Sequence, residues 1–310
     1  MKAIRTTGNA DTPVAMTTVP LPEANADECL VRVHAVSLNA GEIRNSRKRA
    51  AGEAIGWDFA GTVEHSASNG TGPHKGTRVF GFVRSGSWAE FVAAPAHQLG
   101  TIPQGVSFED ASTLPVAGIT ALRTLRRGAP LPGKHVLVVP GSGGVGLFAL
   151  QLAMRDGARV TAVVRSAKRE ALVRDHGASR VIVGITADAK DNGPYDVILE
   201  SLGGDSLGAA LGMLAPDGTV VHFGATVGTE TTFPASTFYS TGGTSLYGFY
   251  AFHEVAKAPM TSDLNYLADL VRTSQLRTNI DASETFANFI EAFSARGERG
   301  LAGKIVVTLP

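Results

Sequence analysis

The chain has 310 residues, of which 44 % are hydrophobic, and its 28 basic side chains balance 28 acidic ones. This length suits two domains, and the hydrophobic content is that of a folded globular protein. The balanced charge disfavours a general affinity for nucleic acid or membranes, so we expect a small-molecule partner and neither of those two. The single cysteine, Cys29, excludes an internal disulfide and a multi-cysteine zinc site. Without an apolar run of about 18 residues or a signal-peptide core, we expect a cytoplasmic location.

The first third of the chain predicts short strands, because apolar runs recur between glycine, proline, asparagine and aspartate residues. These predicted strands are Met1–Arg5, Glu28–Val36, Gly61–Ser66, Arg78–Val83 and Trp88–Ala93. The segment Leu30–Val36 partly alternates apolar and polar side chains, as a strand with one buried face does. This part of the chain is therefore predicted to be β-rich.

From Pro115 to Tyr250, apolar strands alternate with helices. The predicted strands are Val136–Val139, Val160–Val164, Val181–Val183, Asp196–Leu199 and Thr219–Phe223. The predicted helices are Gly144–Arg155, Ala167–His176 and Asp205–Leu214. Apolar strands without alternation, separated by amphipathic helices, indicate an α/β fold with a doubly wound parallel sheet.

The last part of the chain predicts two more helices, Ser262–Ser274 and Glu284–Ala295, and a final strand, Lys304–Thr308. This is enough structure to rejoin the first domain. No linker separates it from the alternating region, so domain boundaries are defined only to within several residues.

The strongest local motif is Gly141-Ser142-Gly143-Gly144-Val145-Gly146, which fits the pattern G-x-G-x-x-G. It directly follows a predicted strand and opens a predicted helix, and this setting makes an otherwise common pattern specific. We expect Gly141 to allow the tight turn, Gly143 to admit a pyrophosphate, and Gly146 to let the helix pack on the strand. The helix N-terminus would offer N–H groups and partial positive charge to the phosphates. The motif predicts a dinucleotide-binding loop; the alternative is a purely structural glycine-rich turn.

The residues after the second strand of this domain indicate which dinucleotide binds. NAD-selective folds place an acidic residue there to bind the ribose 2′-hydroxyl. Here residues 165–169 contain no carboxylate, and the first one is Glu170. Arginine is suited to a 2′-phosphate because its planar guanidinium can bind phosphate through two hydrogen bonds. We therefore predict NADPH as the cofactor, although these cations could also be an ordinary solvated helix start. The predicted 2′-phosphate site comprises Arg165, Ser166, Lys168 and Arg169.

Several blocks of sequence carry a family resemblance. The most specific are Leu114–Ala121, Leu131–Val138 and the glycine loop. Further matching blocks are Val36–Asn39, Gly56–Gly61, Gly76–Gly81, Leu199–Gly204 and Gly303–Val306. With these blocks in this order, the chain resembles the zinc-independent quinone oxidoreductase branch of the medium-chain dehydrogenase/reductase superfamily over nearly its whole length.

The resemblance implies a β-rich GroES-like catalytic domain of residues 1–115 and 256–310 and a Rossmann domain of residues 116–255. It implies that Asn39 and Thr120 line the nicotinamide and that Lys304 reaches the cofactor phosphates. The other contacts that it implies near the ribose and nicotinamide are Ser201, Leu202, Gly224, Ala225 and Phe249. Relatives often form homodimers by joining sheets edge to edge, and the edge strand here would be Thr244–Phe249.

Zinc is where the chain departs from the alcohol dehydrogenase branch of the superfamily. Those enzymes have a zinc-ligating histidine in a Gly-His-Glu segment, whereas the matching segment here is Gly56-Trp57-Asp58. A catalytic zinc needs three protein ligands with suitable spacing, and no such set is evident. We therefore expect no metal, and we interpret Asp58 as a hydrogen-bond acceptor at a strand end.

Without a metal to polarise a carbonyl, hydride transfer to a conjugated acceptor is the easier reaction, because the developing charge spreads over a quinone or enone. Asn39 is the candidate catalytic residue, since its amide could donate a hydrogen bond to the acceptor carbonyl. The alternative for Asn39 is a bond to the local backbone. No proton donor stands out, and the basic run Arg44–Arg49 is either a solvated helix face or a contact for an anionic substrate.

The sequence therefore predicts an NADPH-dependent, zinc-free reductase of quinones or α,β-unsaturated carbonyls. Within enzymes, the alternative is an enoyl-thioester reductase or a pathway-specific reductase of a natural product. From another class, the alternative is a non-enzymatic NADPH-responsive binding protein, because fold alone does not fix function.

Overall fold

The computed structural model describes residues 1–298 and 302–310. The chain forms two compact units. The terminal unit consists of Met1–Ile119 and Val255–Pro310, and the central unit consists of Thr120–Glu254. Among the described residues, no helix combines the length and apolar character needed to span a membrane.

The strands of both units are numbered in chain order. They are β1 (Lys2–Thr6), β2 (Val14–Thr18), β3 (Glu28–Leu38), β4 (Asp58–His65), β5 (Arg78–Phe82), β6 (Phe91–Pro95), β7 (Leu99–Thr101), β8 (His135–Val139), β9 (Arg159–Val164), β10 (Arg180–Val183), β11 (Tyr195–Glu200), β12 (Leu214–His222), β13 (Ser245–Gly248), β14 (Ile280–Thr285) and β15 (Lys304–Thr308).

The α-helices are numbered in the same way. They are α1 (Ala40–Ser46), α2 (Phe108–Ser112), α3 (Ile119–Arg126), α4 (Gly144–Arg155), α5 (Glu170–Asp175), α6 (Gly204–Leu211), α7 (Ala235–Thr241), α8 (Ala251–Lys257), α9 (Thr261–Arg272) and α10 (Phe289–Glu298). A π-helical turn, Leu114–Gly118, precedes α3.

The terminal unit is built on a mainly antiparallel sheet with the strand order β14-β15-β3-β4-β5-β7, in which β6 also pairs with β3. The last strand, β15, lies between β3 and β14, so strands from the N-terminal and C-terminal parts of the chain are hydrogen-bonded into one sheet, while β1 and β2 pair separately. Its core contains Trp88, which packs against the rings of Phe289 and Phe293 at centroid distances of 4.8 and 6.1 Å. The β-rich character predicted for the first third of the chain is confirmed.

The central unit is a parallel sheet with the strand order β10-β9-β8-β11-β12-β13. Counted within the unit, the order is 3-2-1-4-5-6, which is that of the Rossmann fold. All five residues of β8 are buried, as expected for a strand with both faces covered. The strand order reverses between β8 and β11, and ligands of such sheets bind at the carboxyl ends of the strands at that point.

Some predicted elements differ from the observed ones. The predicted helix Glu284–Ala295 is wrong at its start, because β14 extends to Thr285 and pairs with β15 before α10 begins at Phe289. The predicted strand Trp88–Ala93 is shifted, since the ladder with β3 covers Phe91–Pro95. In both places, pairing with a distant strand outweighs the local pattern.

Candidate cofactor site and buried charge network

The glycine loop joins the buried strand β8 to α4 at the switch point of the central sheet. A Cβ on Gly146 would lie 2.3 Å from the Pro140 carbonyl oxygen, and one on Gly141 would lie 2.8 Å from the Cβ of Ala162. Both positions therefore require glycine for packing. A Cβ on Gly143 would meet nothing closer than 3.6 Å, so this residue faces more open space.

The N-terminus of α4 has the features of a phosphate site. Its N-cap is Gly143, and no side chain forms a capping hydrogen bond there. Ser142, Gly144 and Val145 are partly exposed, so the backbone of the loop is accessible. The first N–H groups of a helix lack intrahelical partners and carry partial positive charge. The loop thus fits the pyrophosphate of a dinucleotide by its shape and its donors.

The carboxyl end of β9 is cationic. Arg165, Ser166 and Lys168 are exposed and Arg169 is half-buried. In residues 1–298 and 302–310, neither Arg165 nor Lys168 forms an ion pair. The nearest following carboxylate, Glu170, pairs with Arg174 at 2.8 Å. Glu170 is therefore already paired within α5, and its carboxylate does not take the role of the acidic residue that binds a ribose hydroxyl in NAD-selective folds.

A cavity of about 500 Å³ lies at the carboxyl edge of the central sheet. It brings together two predicted site residues, Arg165 and Leu202, whereas Ser166, Lys168 and Arg169 do not line it. Its lining residues are Val139, Pro140, Val163, Arg165, Gly184, Ile185, Thr186, Ala187, Leu202, Gly203, Gly204, Asp205, Ser206, Val227 and Gly228. Most of these are apolar or glycine, so the cavity suits a flat ring system with a phosphate near Arg165.

Two loops beside the cavity carry three more of the predicted contacts, Ser201, Gly224 and Ala225. The Ser201 carbonyl accepts a hydrogen bond from the Thr226 N–H at 3.3 Å. A Cβ on Gly224 would lie 3.2 Å from the Ser201 carbonyl oxygen, so the loops are in close contact.

Two other predicted contacts, Thr120 and Phe249, are buried in the central unit. Thr120 lies in the first turn of α3, and its carbonyl accepts a hydrogen bond from the Thr124 hydroxyl at 2.7 Å. The Phe249 N–H is bonded to the His222 carbonyl at 2.8 Å. A backbone contact from Phe249 to a cofactor would therefore use its carbonyl.

The remaining two predicted residues, Asn39 and Lys304, meet inside the terminal unit. The Lys304 ammonium donates to the Asn39 amide oxygen at 2.5 Å and to Asp58 Oδ2 at 3.2 Å. The Asn39 amide nitrogen donates to Glu42 Oε2 at 3.0 Å and to Asp58 Oδ2 at 2.9 Å. A hydrogen bond from Asn39 to an acceptor carbonyl, as predicted from the sequence, therefore requires one of these bonds to open.

Asp58 is the centre of this network. Its Oδ2 also accepts from the Ser37 hydroxyl at 2.8 Å, and its Oδ1 accepts from the Val116 N–H at 2.9 Å. Val116 lies in the π-helical turn, so Asp58 links strand β4 to the segment that leads into α3. Irregular turns of this kind are frequent at functional sites.

Glu42 is completely buried beside Asp58. Burial, followed by the negative charge of Asp58, raises the pKa of Glu42 to about 8, while the Lys304 ammonium opposes this change. The network thus holds two carboxyl groups and one ammonium group away from water. It is the largest concentration of buried charge in the described part of the terminal unit.

Comparison with known proteins defines the family. The protein-family model "Alcohol dehydrogenase GroES-like domain" matches residues 25–104, and the protein-family model "Zinc-binding dehydrogenase" matches residues 144–268. The quinone oxidoreductase of Mus musculus is 33 % identical over 223 residues, which are 66 % of this chain and 66 % of that protein. The quinone oxidoreductase of Pongo abelii is 32 % identical over 222 residues, which are 67 % of each chain. The chain belongs to the quinone oxidoreductase-like branch of the medium-chain dehydrogenase/reductase superfamily.

The structural comparison extends this relation to the full length. The structure of the quinone oxidoreductase from Coxiella burnetii matches with a TM-score of 0.84 at 25 % identity, over 100 % of this chain and 99 % of that chain. The medium-chain dehydrogenase/reductase fold therefore accounts for both units.

Trp57 lies in the segment that the sequence resemblance matched to a zinc-ligand segment of the alcohol dehydrogenase branch. Its backbone N–H donates to Glu42 Oε1 at 2.5 Å, so the segment joins the buried charge network. Among the residues that the structure describes, no group of three or more histidine, cysteine, aspartate or glutamate side chains could hold a metal ion.

Sequence reasoning did not identify Glu200 as part of the site. Its side chain is completely buried at the end of β11, next to the cavity. It accepts hydrogen bonds from the Leu202 N–H at 2.7 Å and from the Ser206 hydroxyl at 2.9 Å. His222, at the end of the neighbouring strand β12, donates from Nδ1 at 2.7 Å. The sequence signal that could have identified Glu200 is an acidic residue directly after the predicted buried strand Asp196–Leu199.

Proposed function

We propose that this protein is an NADPH-dependent, zinc-independent reductase of quinones or other conjugated carbonyl compounds. The observation that carries the proposal is the cationic end of β9 beside the glycine loop, where NAD-selective folds have an acidic residue. Arg165 lines the cavity, and Lys168, three residues further along the chain, is exposed. Within the described residues neither side chain is paired with a carboxylate, so both are available to a 2′-phosphate.

The names of the relatives support the choice of acceptor. Quinone oxidoreductases of Mus musculus and Pongo abelii match the chain at 33 % and 32 % identity. The part of the mouse protein that matches is 66 % of its length, so its activity is transferred to this chain as a proposal.

The chemistry of the site is consistent with a conjugated acceptor. NADPH, when bound, supplies a hydride. The residues of the chain bind and orient: the glycine loop offers backbone N–H groups to the pyrophosphate, and Arg165 offers a guanidinium to the 2′-phosphate. Trp57 occupies the position of a zinc ligand, so we propose that the protein polarises no carbonyl through zinc. A quinone or enone needs less such help than a simple aldehyde, because the negative charge is delocalised.

We further propose that the protein forms a homodimer through the edge of the central sheet. The strand β13 is the last strand of that sheet and pairs only with β12 among the described strands. Leu246 of β13 is 47 % exposed and Tyr250, just beyond it, is 61 % exposed. An exposed strand edge with apolar side chains is suited to pairing with a second copy.

The cofactor assignment is tested by replacing the cations. We expect Arg165→Ala combined with Arg169→Ala to weaken NADPH binding by about tenfold or more and to leave NADH binding within about twofold, since only NADPH carries the 2′-phosphate. Titration of both cofactors by calorimetry measures this directly. Arg155→Ala combined with Arg180→Ala, at the last turn of α4 and the start of β10, is a control matched for the loss of two positive charges. Equal losses for NADPH and NADH would contradict the assignment.

A further inference from the structure

The Glu200 carboxylate is the most completely buried acidic group of the central unit, with an exposure of 0 %. In every hydrogen bond that the structure gives this side chain, a carboxylate oxygen is the acceptor. The donors are Leu202 N, Gly203 N, the Ser206 hydroxyl and His222 Nδ1. Removing a carboxylate from water is costly unless its oxygens are satisfied in this way. The donors are therefore held firmly around it.

Leu202 connects this carboxylate to the second loop of the site. Its N–H points to Glu200, and its carbonyl accepts hydrogen bonds from Val227 N at 2.8 Å and Gly228 N at 3.1 Å. Both sides of this residue are thus fixed. Glu200 consequently determines the path of the loop 201–204 and, through the Leu202 carbonyl, that of the loop 224–228.

The two loops are packed backbone against backbone. A Cβ on Gly203, which has a φ of +72°, would lie 2.1 Å from the Gly228 carbonyl oxygen. A Cβ on Gly228 would lie 2.8 Å from the Cα of Gly204. No side chain fits between the loops, so a shift of one loop must move the other.

A third wall of the cavity is bonded to the same carboxylate. The Ser206 hydroxyl, which donates to Glu200 Oε1, lies 2.6 Å from the hydroxyl of Thr186. Thr186, Ser206, Leu202 and Gly228 all line the 500 Å³ cavity. Three segments that are distant in sequence thus depend on one buried side chain.

We propose that Glu200 is a positioning residue for the dinucleotide, which holds three walls of the cavity in the geometry that NADPH requires, with His222 as its hydrogen-bond partner. This inference rests on the proposed function, because it assigns the cavity to the cofactor. Glu200 acts through the backbone of the loops and does not itself touch the cofactor. Its four donors are all directed at its two oxygens.

The test replaces Glu200 and His222 and measures NADPH binding by calorimetry. In Glu200→Met, the four donors lose both acceptor oxygens, so we expect the Kd for NADPH to rise by about tenfold or more. His222→Gln keeps a donor for Glu200 and should bind NADPH within about threefold of wild type, whereas His222→Leu lacks the donor and should resemble Glu200→Met.

The matched control is Asp196→Asn, at the opposite end of the same strand. Asp196 also accepts from a backbone N–H, that of His135 at 2.7 Å, and pairs with Lys134 at 3.2 Å. The Asp196→Asn variant should have a lower melting temperature than the wild-type protein but the same Kd for NADPH. The inference is overturned if Glu200→Met and His222→Leu bind NADPH as wild type does, or if Asp196→Asn weakens binding equally. Absence of NADPH binding to the wild-type protein would overturn the proposed function itself, and this inference with it.

Discussion

Lys304 is the single cation of the buried network in the terminal unit, and its removal should be strongly destabilising. Its ammonium lies 3.2 Å from Asp58 Oδ2, and the two side chains are 3 % and 0 % exposed. At an effective dielectric constant of about 20, charges at this distance attract by about 5 kcal/mol. Removing one partner of a buried ion pair costs about 3–5 kcal/mol. We therefore expect Lys304→Met to lower the free energy of unfolding of the terminal unit by an amount in this range.

The chain provides a specific assay for this change. It contains two tryptophans, and both of them, Trp57 and Trp88, lie in the terminal unit. Urea unfolding followed by tryptophan emission therefore reports on that unit. Lys75→Met is the control, because Lys75 also lies 3.2 Å from a carboxylate, that of Glu64, but is 67 % exposed. An exposed pair contributes little, so this variant should unfold at the wild-type urea concentration.

A double-mutant cycle isolates the interaction from other effects of the substitution. Asp58→Asn and Lys304→Met should each destabilise the unit, and the double variant should lose less than the sum of the two losses. A loss below about 1 kcal/mol for Lys304→Met, or strictly additive losses in the cycle, would refute the reasoning.

Two further predictions concern Glu42 and the glycine loop. Because the pKa of Glu42 is raised to about 8, the folded protein keeps a proton that the unfolded chain releases, and the stability of the terminal unit should fall as the pH rises from 5 to 8. Glu42→Gln should flatten this slope in urea unfolding, and an unchanged slope would contradict the assignment. Gly143→Ala should keep the wild-type melting temperature but lose NADPH affinity, whereas Gly146→Ala should lower both, because its Cβ would overlap the Pro140 carbonyl oxygen at 2.3 Å. Unchanged NADPH affinity in Gly143→Ala would show that this glycine does not face the cofactor.

The central unit was largely predictable from the sequence. Its strands are short and apolar because both faces are covered, and the glycine loop follows β8 directly, so periodicity and motif agree. Helix α6 was predicted to run to Leu214, but it ends at Leu211 and β12 begins at Leu214. The reason is that Leu214 pairs with Tyr195 of β11, a contact that no local pattern contains.

The buried networks could not be derived from the sequence. Asn39 and Lys304 are 265 positions apart, and they meet only because β15 pairs with β3 in one sheet. Glu200 and His222 are neighbours because the parallel register of β11 and β12 places them opposite each other. The register of two paired strands depends on the packing of the whole sheet. The local sequence pattern of one strand therefore does not specify the register.

The central claim is tested most directly by following NADPH absorbance with four acceptors in the presence of a metal chelator. The acceptors are a benzoquinone, a simple enone, an enoyl thioester and a plain aldehyde, and NADH replaces NADPH in a parallel series. We expect turnover of the quinone or the enone, a preference for NADPH, no reduction of the aldehyde, and no effect of the chelator. Activity with the aldehyde that the chelator abolishes, or equal rates with NADH, would contradict the account.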